Sequence, residues 1–270
     1  ILGAPVAVLA GIAQARNRSA TFAVATDGTL VYATGYLSNS RHEPMRVVRA
    51  SRGGLFETLA IEPDLFGRAI AATPDGRRLA LAREDRGGWV VDLARGTRTK
   101  VAGDEVTGAM DVAWSADGDQ LAWSAKPPEG DDVAVLVQPS DGRGAPRALG
   151  VRDSDLSVAG WMPDGRELVF SMQGSLWRTV PGSGLAQQIT DGPGYHYQPD
   201  WSSDSRSVAY AAYDQDAVEI RGLDLQSGER FAFTTGGAVN LEPRFSPDGK
   251  RLAFVSTAHE GRFHLFVLPL

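Results

Sequence analysis

Two short runs in the last third of the chain gather the polar groups best suited to binding or catalysis. One is Tyr195-His196-Tyr197-Gln198-Pro199-Asp200-Trp201 and the other is Asn240-Leu241-Glu242-Pro243-Arg244-Phe245. If each run opens an innermost strand whose start faces a central channel, His196, Gln198 and Asp200 would meet Asn240, Glu242 and Arg244 at the channel mouth. Asp111 and Arg68 hold comparable places upstream. Carboxylate and amide oxygens with an imidazole could hold a hard cation, and oxygen ligands suit calcium. Alternatively the same groups keep a water-filled passage solvated and pair with one another, Arg244 with Glu242 or Asp200. Either way, a ligand, ion or peptide end would meet His196, Gln198, Asn240, Glu242, Arg244 and Asp111 only if the fold brings separate segments together.

The motifs of several enzyme classes are absent. There is no Gly-x-Ser-x-Gly elbow, and Gly182-Ser183-Gly184 lacks its context. There is no His-Glu-x-x-His. The histidines are His42, His196, His259 and His264, and the last two are five residues apart, which is not a standard ligand spacing. With no cysteine, disulfides, thiol catalysis and thiolate metal sites are excluded, and either an envelope or a cytosolic setting is compatible. The net charge of −6 argues against a nucleic-acid surface. Arg77-Arg78 and the Arg16/Arg18 pair read as solvated turn residues. The apolar run Ile1–Ala13 is too short to span a bilayer and lacks a basic flank. A first residue other than Met suggests a processed protein or an excised domain.

A repeated turn identifies the elements that must position these groups. ATDGTLVYA, TPDGRRLALA, SADGDQLAWSA, MPDGRELVFS, SSDSRSVAYAA and SPDGKRLAFVS each place an Asp-Gly-like turn before an apolar run. The turn aspartates are Asp27, Asp75, Asp117, Asp164, Asp204 and Asp248, spaced by 48, 42, 47, 40 and 44 residues. Asp-Gly between apolar segments is a hairpin signal, because Gly tolerates positive φ and Asp bonds the local backbone. A period of this size marks stacked β blades that must pack on neighbours to bury both faces. The expectation is an all-β, six-bladed β-propeller with four antiparallel strands per blade, spanning residues 1–270 as one domain. In blade 5 the strands should be Tyr197–Ser202, Ser207–Tyr213, Ala217–Leu225 and Arg230–Thr234.

The chain ends do not match a complete blade each. Only 22 residues follow Asp248, enough for a third strand at Arg262–Leu270 but not a fourth. Ala4–Gly11 precedes the first hairpin and has the fourth-strand pattern. The N-terminal strand should therefore close the last blade, which also hides an edge. Trp114, Trp161 and Trp201, with Phe245, occupy one repeat position and are expected between blades, where a large aromatic contributes a few kcal/mol.

The SPDGKRLAF-type unit resembles the WD-like repeat of the TolB family over nearly the whole chain. That family includes a periplasmic partner of an envelope complex, propellers of prolyl-oligopeptidase-like and tricorn-like peptidases, and extracytoplasmic domains of bacterial kinases. YHYQPDWSSDS and AVNLEPRFSPDGKRLAFVST resemble blades that precede amidohydrolase domains. PVAVLAGI with FAVATDGTLVYA is similar to propellers attached to bacterial Ser/Thr kinases. A full set of repeats with no catalytic motif points to a non-catalytic binding, accessory or sensor propeller without a cofactor, and the resemblance implies a periplasmic or extracytoplasmic one. Its partner would be a protein, a peptide or a neighbouring domain, with no nucleic acid and no transmembrane segment. Two alternatives remain open: a channel-centred, metal-assisted hydrolase of the lactonase type using calcium, and a gating propeller of a hydrolase or peptidase.

Overall fold

The computed structural model describes residues 6–10, 22–24, 30–34, 46–50, 55–61, 66–83, 87–102, 107–127, 132–214, 217–259 and 261–270. These form six four-stranded antiparallel sheets. Five are simple meanders, with consecutive strands as neighbours. In the sixth the order places Val6–Ala10 beside Arg262–Pro269, with Val6 opposite Val267 and Ala10 opposite His264. The N-terminal strand thus closes blade 6 as expected. The blade 5 strands run Tyr195–Trp201, Ser207–Asp214, Ala217–Asp224 and Arg230–Ala232.

The core is a ring of layers between blades. Ala80 and Val90 of blade 2 meet Leu121, Trp123 and Leu136 of blade 3. On the other face of blade 3, Ala122, Val133 and Val135 meet Leu168 and Phe170 of blade 4. A sheet packed on both faces needs apolar residues at consecutive positions, which is why the second strands read LALA, LAWSA and VAYAA rather than alternating. Another layer joins Ile220 of blade 5, Leu252 and Phe254 of blade 6 and Val48 of blade 1, so the circle is complete.

Five of the expected turns are described, and residues 25–29 with Asp27 lie outside the described residues, as does His42. Each described turn has its aspartate carboxylate accepting a backbone N–H two residues on: Arg77 to Asp75, Asp119 to Asp117, Arg166 to Asp164, Arg206 to Asp204 and Lys250 to Asp248. The residue after the aspartate has positive φ, including Ser205 at 60° where glycine is replaced. In four turns a hydroxyl leads the motif. Thr73, Ser115, Ser202 and Ser246 donate to the aspartate and accept the amide of residue 78, 120, 207 or 251. That hydroxyl bond is the main reason the carboxyls of Asp75, Asp117, Asp204 and Asp248 lie below their ordinary range.

The aromatic position is equivalent in each blade, with Trp114, Trp161, Trp201 and Phe245 ending the innermost strands opposite Leu121, Leu168, Val208 and Leu252. Each packs toward the preceding blade. Trp114 donates its Nε1–H to the Ala71 carbonyl of blade 2 at 3.0 Å and stacks under Arg78. Trp114 and Trp201 are buried, but Trp161 is only half-buried, a correction to the expectation of three equal sites. Next to it stands Gly160, where a Cβ would meet nothing within 4 Å beyond its chain neighbours.

Candidate binding site at the channel

The innermost strands are Phe22–Val24, Phe66–Ala72, Thr107–Trp114, Ser157–Trp161, Tyr195–Trp201 and Asn240–Phe245. In blades 5 and 6 each carries a β-bulge. Gln198-Pro199 stand opposite Tyr210, between the pairs Tyr197–Ala211 and Asp200–Ala209. Glu242-Pro243 stand opposite Phe254, between Leu241–Val255 and Arg244–Ala253. Proline cannot donate to a ladder and is tolerated at such an edge bulge. The residue before it takes the extra turn, and Gln198 and Glu242 have φ of 52° and 53°. A non-glycine residue in that region is strained and persists only where its surroundings hold it.

Here the surroundings hold both together. Gln198 donates through Nε2 to Glu242 Oε1 at 2.7 Å, and its Oε1 accepts the Glu242 backbone N–H at 3.2 Å. Arg244 donates to Glu242 Oε2 at 2.9 Å and to the Pro243 carbonyl at 2.8 Å. Asp200 accepts the Phe245 N–H at 2.6 Å. From blade 3, Asp111 accepts hydroxyl bonds from Ser124 at 2.7 Å and from Ser157 of blade 4 at 2.6 Å. Four blades thus send the polar ends of their innermost strands to one place.

Burial dominates the electrostatics. It pushes the Glu242 carboxyl up to about 7, against Arg244 and with help from Asp111 and Asp200. It pushes Asp200 up to about 6, again opposed by Arg244. Both acids bind a proton more tightly folded than unfolded. Their contribution to stability is therefore full below the ordinary carboxylate range and is lost as the pH rises toward 7. Glu242→Gln keeps the size of the side chain and removes the titration, while one of the two accepting oxygens becomes a donor that faces the Gln198 or Arg244 donor. Relative to the parent it should therefore gain on the order of 2 kcal/mol, about 4–8 °C in Tm, between pH 4.5 and pH 8. Thermal melts at the two pH values check this. Equal destabilisation at both would mean that the Glu242–Arg244 pair stabilises as an ion pair.

Two of the candidate residues lie elsewhere. His196 is buried between blades, its Nδ1 3.0 Å from the Thr190 hydroxyl and its ring against Tyr210. Burial, and then Arg221, hold its imidazole below the ordinary value. Asn240 is buried with its amide donating to Val218 O, Ala238 O and Glu219. Gln198, Glu242, Arg244 and Asp111 are the candidates brought together, and Asp200 joins them. The Arg68 side chain lies outside the described residues. Among the described residues no group of three or more His, Cys, Asp or Glu is placed to hold a metal ion.

Above the cluster the channel widens into a funnel of about 500 Å³. Asp200 and Arg244 lie in its wall, with the edges of Trp114, Trp161, Trp201 and Phe245 around it and Pro74, Pro163 and Pro247 of the turns at its rim. The opening is on the turn side of the propeller, where the innermost strands end. The sequence expectation had placed the mouth at their starts.

No protein-family model matches the chain. Among curated proteins, the Tol-Pal system protein TolB of Francisella tularensis subsp. mediasiatica is 29% identical over 73 residues, 27% of this chain and 17% of that protein. The uncharacterized peptidase YuxL of Bacillus subtilis is 27% identical over 152 residues, 56% of this chain and 22% of that protein. The chain thus matches about a fifth of the length of these relatives. Among solved structures, a putative TolB from Agrobacterium tumefaciens is 26% identical with a TM-score of 0.67, covering 75% of this chain and 73% of that one. TolB from Acinetobacter baumannii is 19% identical with a TM-score of 0.69, covering 91% and 64%. An oligogalacturonate lyase in complex with manganese shares the fold at 15% identity and a TM-score of 0.57. The six-bladed propeller is TolB-like, as the repeated turns implied.

Proposed function

We propose that this chain is a non-catalytic interaction propeller that seats a protein or peptide partner in the turn-side funnel. The observation that carries the reading is the funnel itself. It has the size of a ligand cavity, aromatic and proline edges, and a few convergent polar groups at its base. The acids beneath it are tied to Gln198, Arg244, Ser124 and Ser157, an arrangement suited to a fixed receptor surface. The likeness to TolB supports a protein partner and an extracytoplasmic, periplasmic setting. No helix among the described residues is long and apolar enough to cross a membrane. Calcium remains a proposal from residue types alone.

Gly160 offers a direct test. It lines the funnel and a side chain added there meets open space, so Gly160→Trp should plug the cavity while leaving the fold intact. Panning a random dodecapeptide phage library on the immobilised propeller should enrich clones that bind the parent protein. The same clones should bind Gly160→Trp at least about tenfold more weakly, with Tm within a few degrees of the parent. Enriched clones indifferent to the plug would move the interaction surface off the channel.

A further inference from the structure

The occupant of the funnel can be specified further from charge, and the step rests on the reading just given. Three carboxylates, Asp111, Asp200 and Glu242, come together from blades 3, 5 and 6, and Arg244 is the guanidinium that faces them. Arg244 is already committed: one terminal nitrogen donates to Glu242 and the other to the Pro243 carbonyl. Asp200 stands in the funnel wall itself, whereas Glu242 is not among the lining residues. Around it are the aromatic edges contributed by consecutive blades, which suit the apolar stem of a long side chain.

We infer that the funnel docks an extended polypeptide segment through one basic side chain. The lysine ammonium or arginine guanidinium sits against Asp200, and the stem and flanking residues lie on Trp161, Trp201 and Phe245. Charge complementarity decides the sign. An acidic segment would bring a fourth carboxylate to a site whose guanidinium is already bonded. A basic one brings a further counter-charge to two acids that burial holds toward the protonated form against Arg244. The volume decides the class, since about 500 Å³ is far more than a bare ion fills and matches a side chain with its neighbours. Seating the cation moves protons only: those on Asp200 and Glu242 pass to solvent, and no covalent bond changes.

The test uses peptides selected on the intact propeller. Clones from the dodecapeptide library that bind the parent and lose binding to Gly160→Trp are made as synthetic peptides. Each is paired with an analogue in which the shared Lys or Arg is norleucine, and binding is measured by calorimetry. The norleucine analogues should bind at least about tenfold more weakly. Asp200→Asn retains the oxygen that accepts the Phe245 N–H, so it should spare the fold. It should cut the preference for the basic peptide to about threefold or less, and Glu242→Gln should lower it in the same direction. Plug-sensitive peptides without a basic residue, or norleucine analogues that bind equally well, overturn this inference and leave the interaction reading standing. Plug-sensitive peptides rich in Asp or Glu overturn it in favour of recognition by Arg244. A selection that yields no plug-sensitive peptide overturns both.

Discussion

Trp123→Ala should lower the stability of the propeller by about 3–5 kcal/mol, the range for a large aromatic removed from a rigid core. Trp123 is fully buried in the layer between blades 2 and 3. Its ring lies so close over Gly88 that a Cβ on that glycine would come within 2.2 Å of it. The layer is bounded by two hydrogen-bonded sheets, which cannot collapse into the space as a helix end or loop can. The Nε1 of Trp123 has no hydrogen-bond partner, so the loss is one of packing and transfer alone. Urea unfolding should show the midpoint falling with an unchanged slope. Trp161→Ala is the internal comparison. That ring is half-buried beside the open position at Gly160, and its removal should cost less than half as much. A loss at Trp123 below about 1 kcal/mol, typical of surface positions, would show that the layer repacks.

The architecture was legible because its signals are local and repeated. The Asp-Gly turns state where each hairpin lies, and their period states how many blades there are. Blade 5 strands fell within two residues of expectation at every boundary. The hydroxyl heading four of these turns stands in the chain as Thr73, Ser115, Ser202 and Ser246, two residues before the aspartate. Its role emerges only when the amide five residues on is seen to close the loop.

The site was legible in part, and the error has one physical source. Reading the starts of the innermost strands as one channel mouth put His196, Gln198 and Asp200 together with Asn240, Glu242 and Arg244, as if each run were a regular strand. The bulge at Gln198-Pro199 inserts one residue and reverses the parity beyond it, and so does the bulge at Glu242-Pro243. His196 and Asn240, before the bulges, are turned into the layers between blades. Asp200 and Arg244, after them, reach the channel. The clue was in the chain: Gln-Pro-Asp-Trp and Glu-Pro-Arg-Phe place a proline at the same offset in two innermost strands, where a regular ladder would reject it. The funnel at the opposite mouth could not be read from spacing. It depends on Gly160 leaving space and on the aromatic edges of separate blades meeting round one opening.

Removal of the closing strand should be the second large loss. Val6–Ala10 supplies the outer strand of blade 6, with Val6, Ala7, Leu9 and Ala10 opposite Val267, Phe266, Leu265 and His264. Blade 6 is held on one side by blade 5 and on the other by Tyr32, Val48 and Ala50 of blade 1. Pairing the first strand of the chain with the last ties the two termini together, so the ring cannot open without breaking this sheet. Deleting residues 1–12 leaves Arg262–Pro269 as a bare edge, with unpaired backbone groups along an apolar strand. The truncated protein should lose about 10 °C or more in Tm, equivalent to a few kcal/mol in a domain of this size. It should also self-associate with rising concentration, because an exposed edge recruits another chain. A synthetic peptide of residues 1–12 added in trans should restore the Tm and suppress the association, since it refills the same edge. Where the truncation does not fold, the full chain with Leu9→Pro gives the graded version, as proline removes a ladder donor from the closing strand. A truncated protein that melts within about 2 °C of the parent and stays monomeric would mean that the interblade layers alone hold the ring.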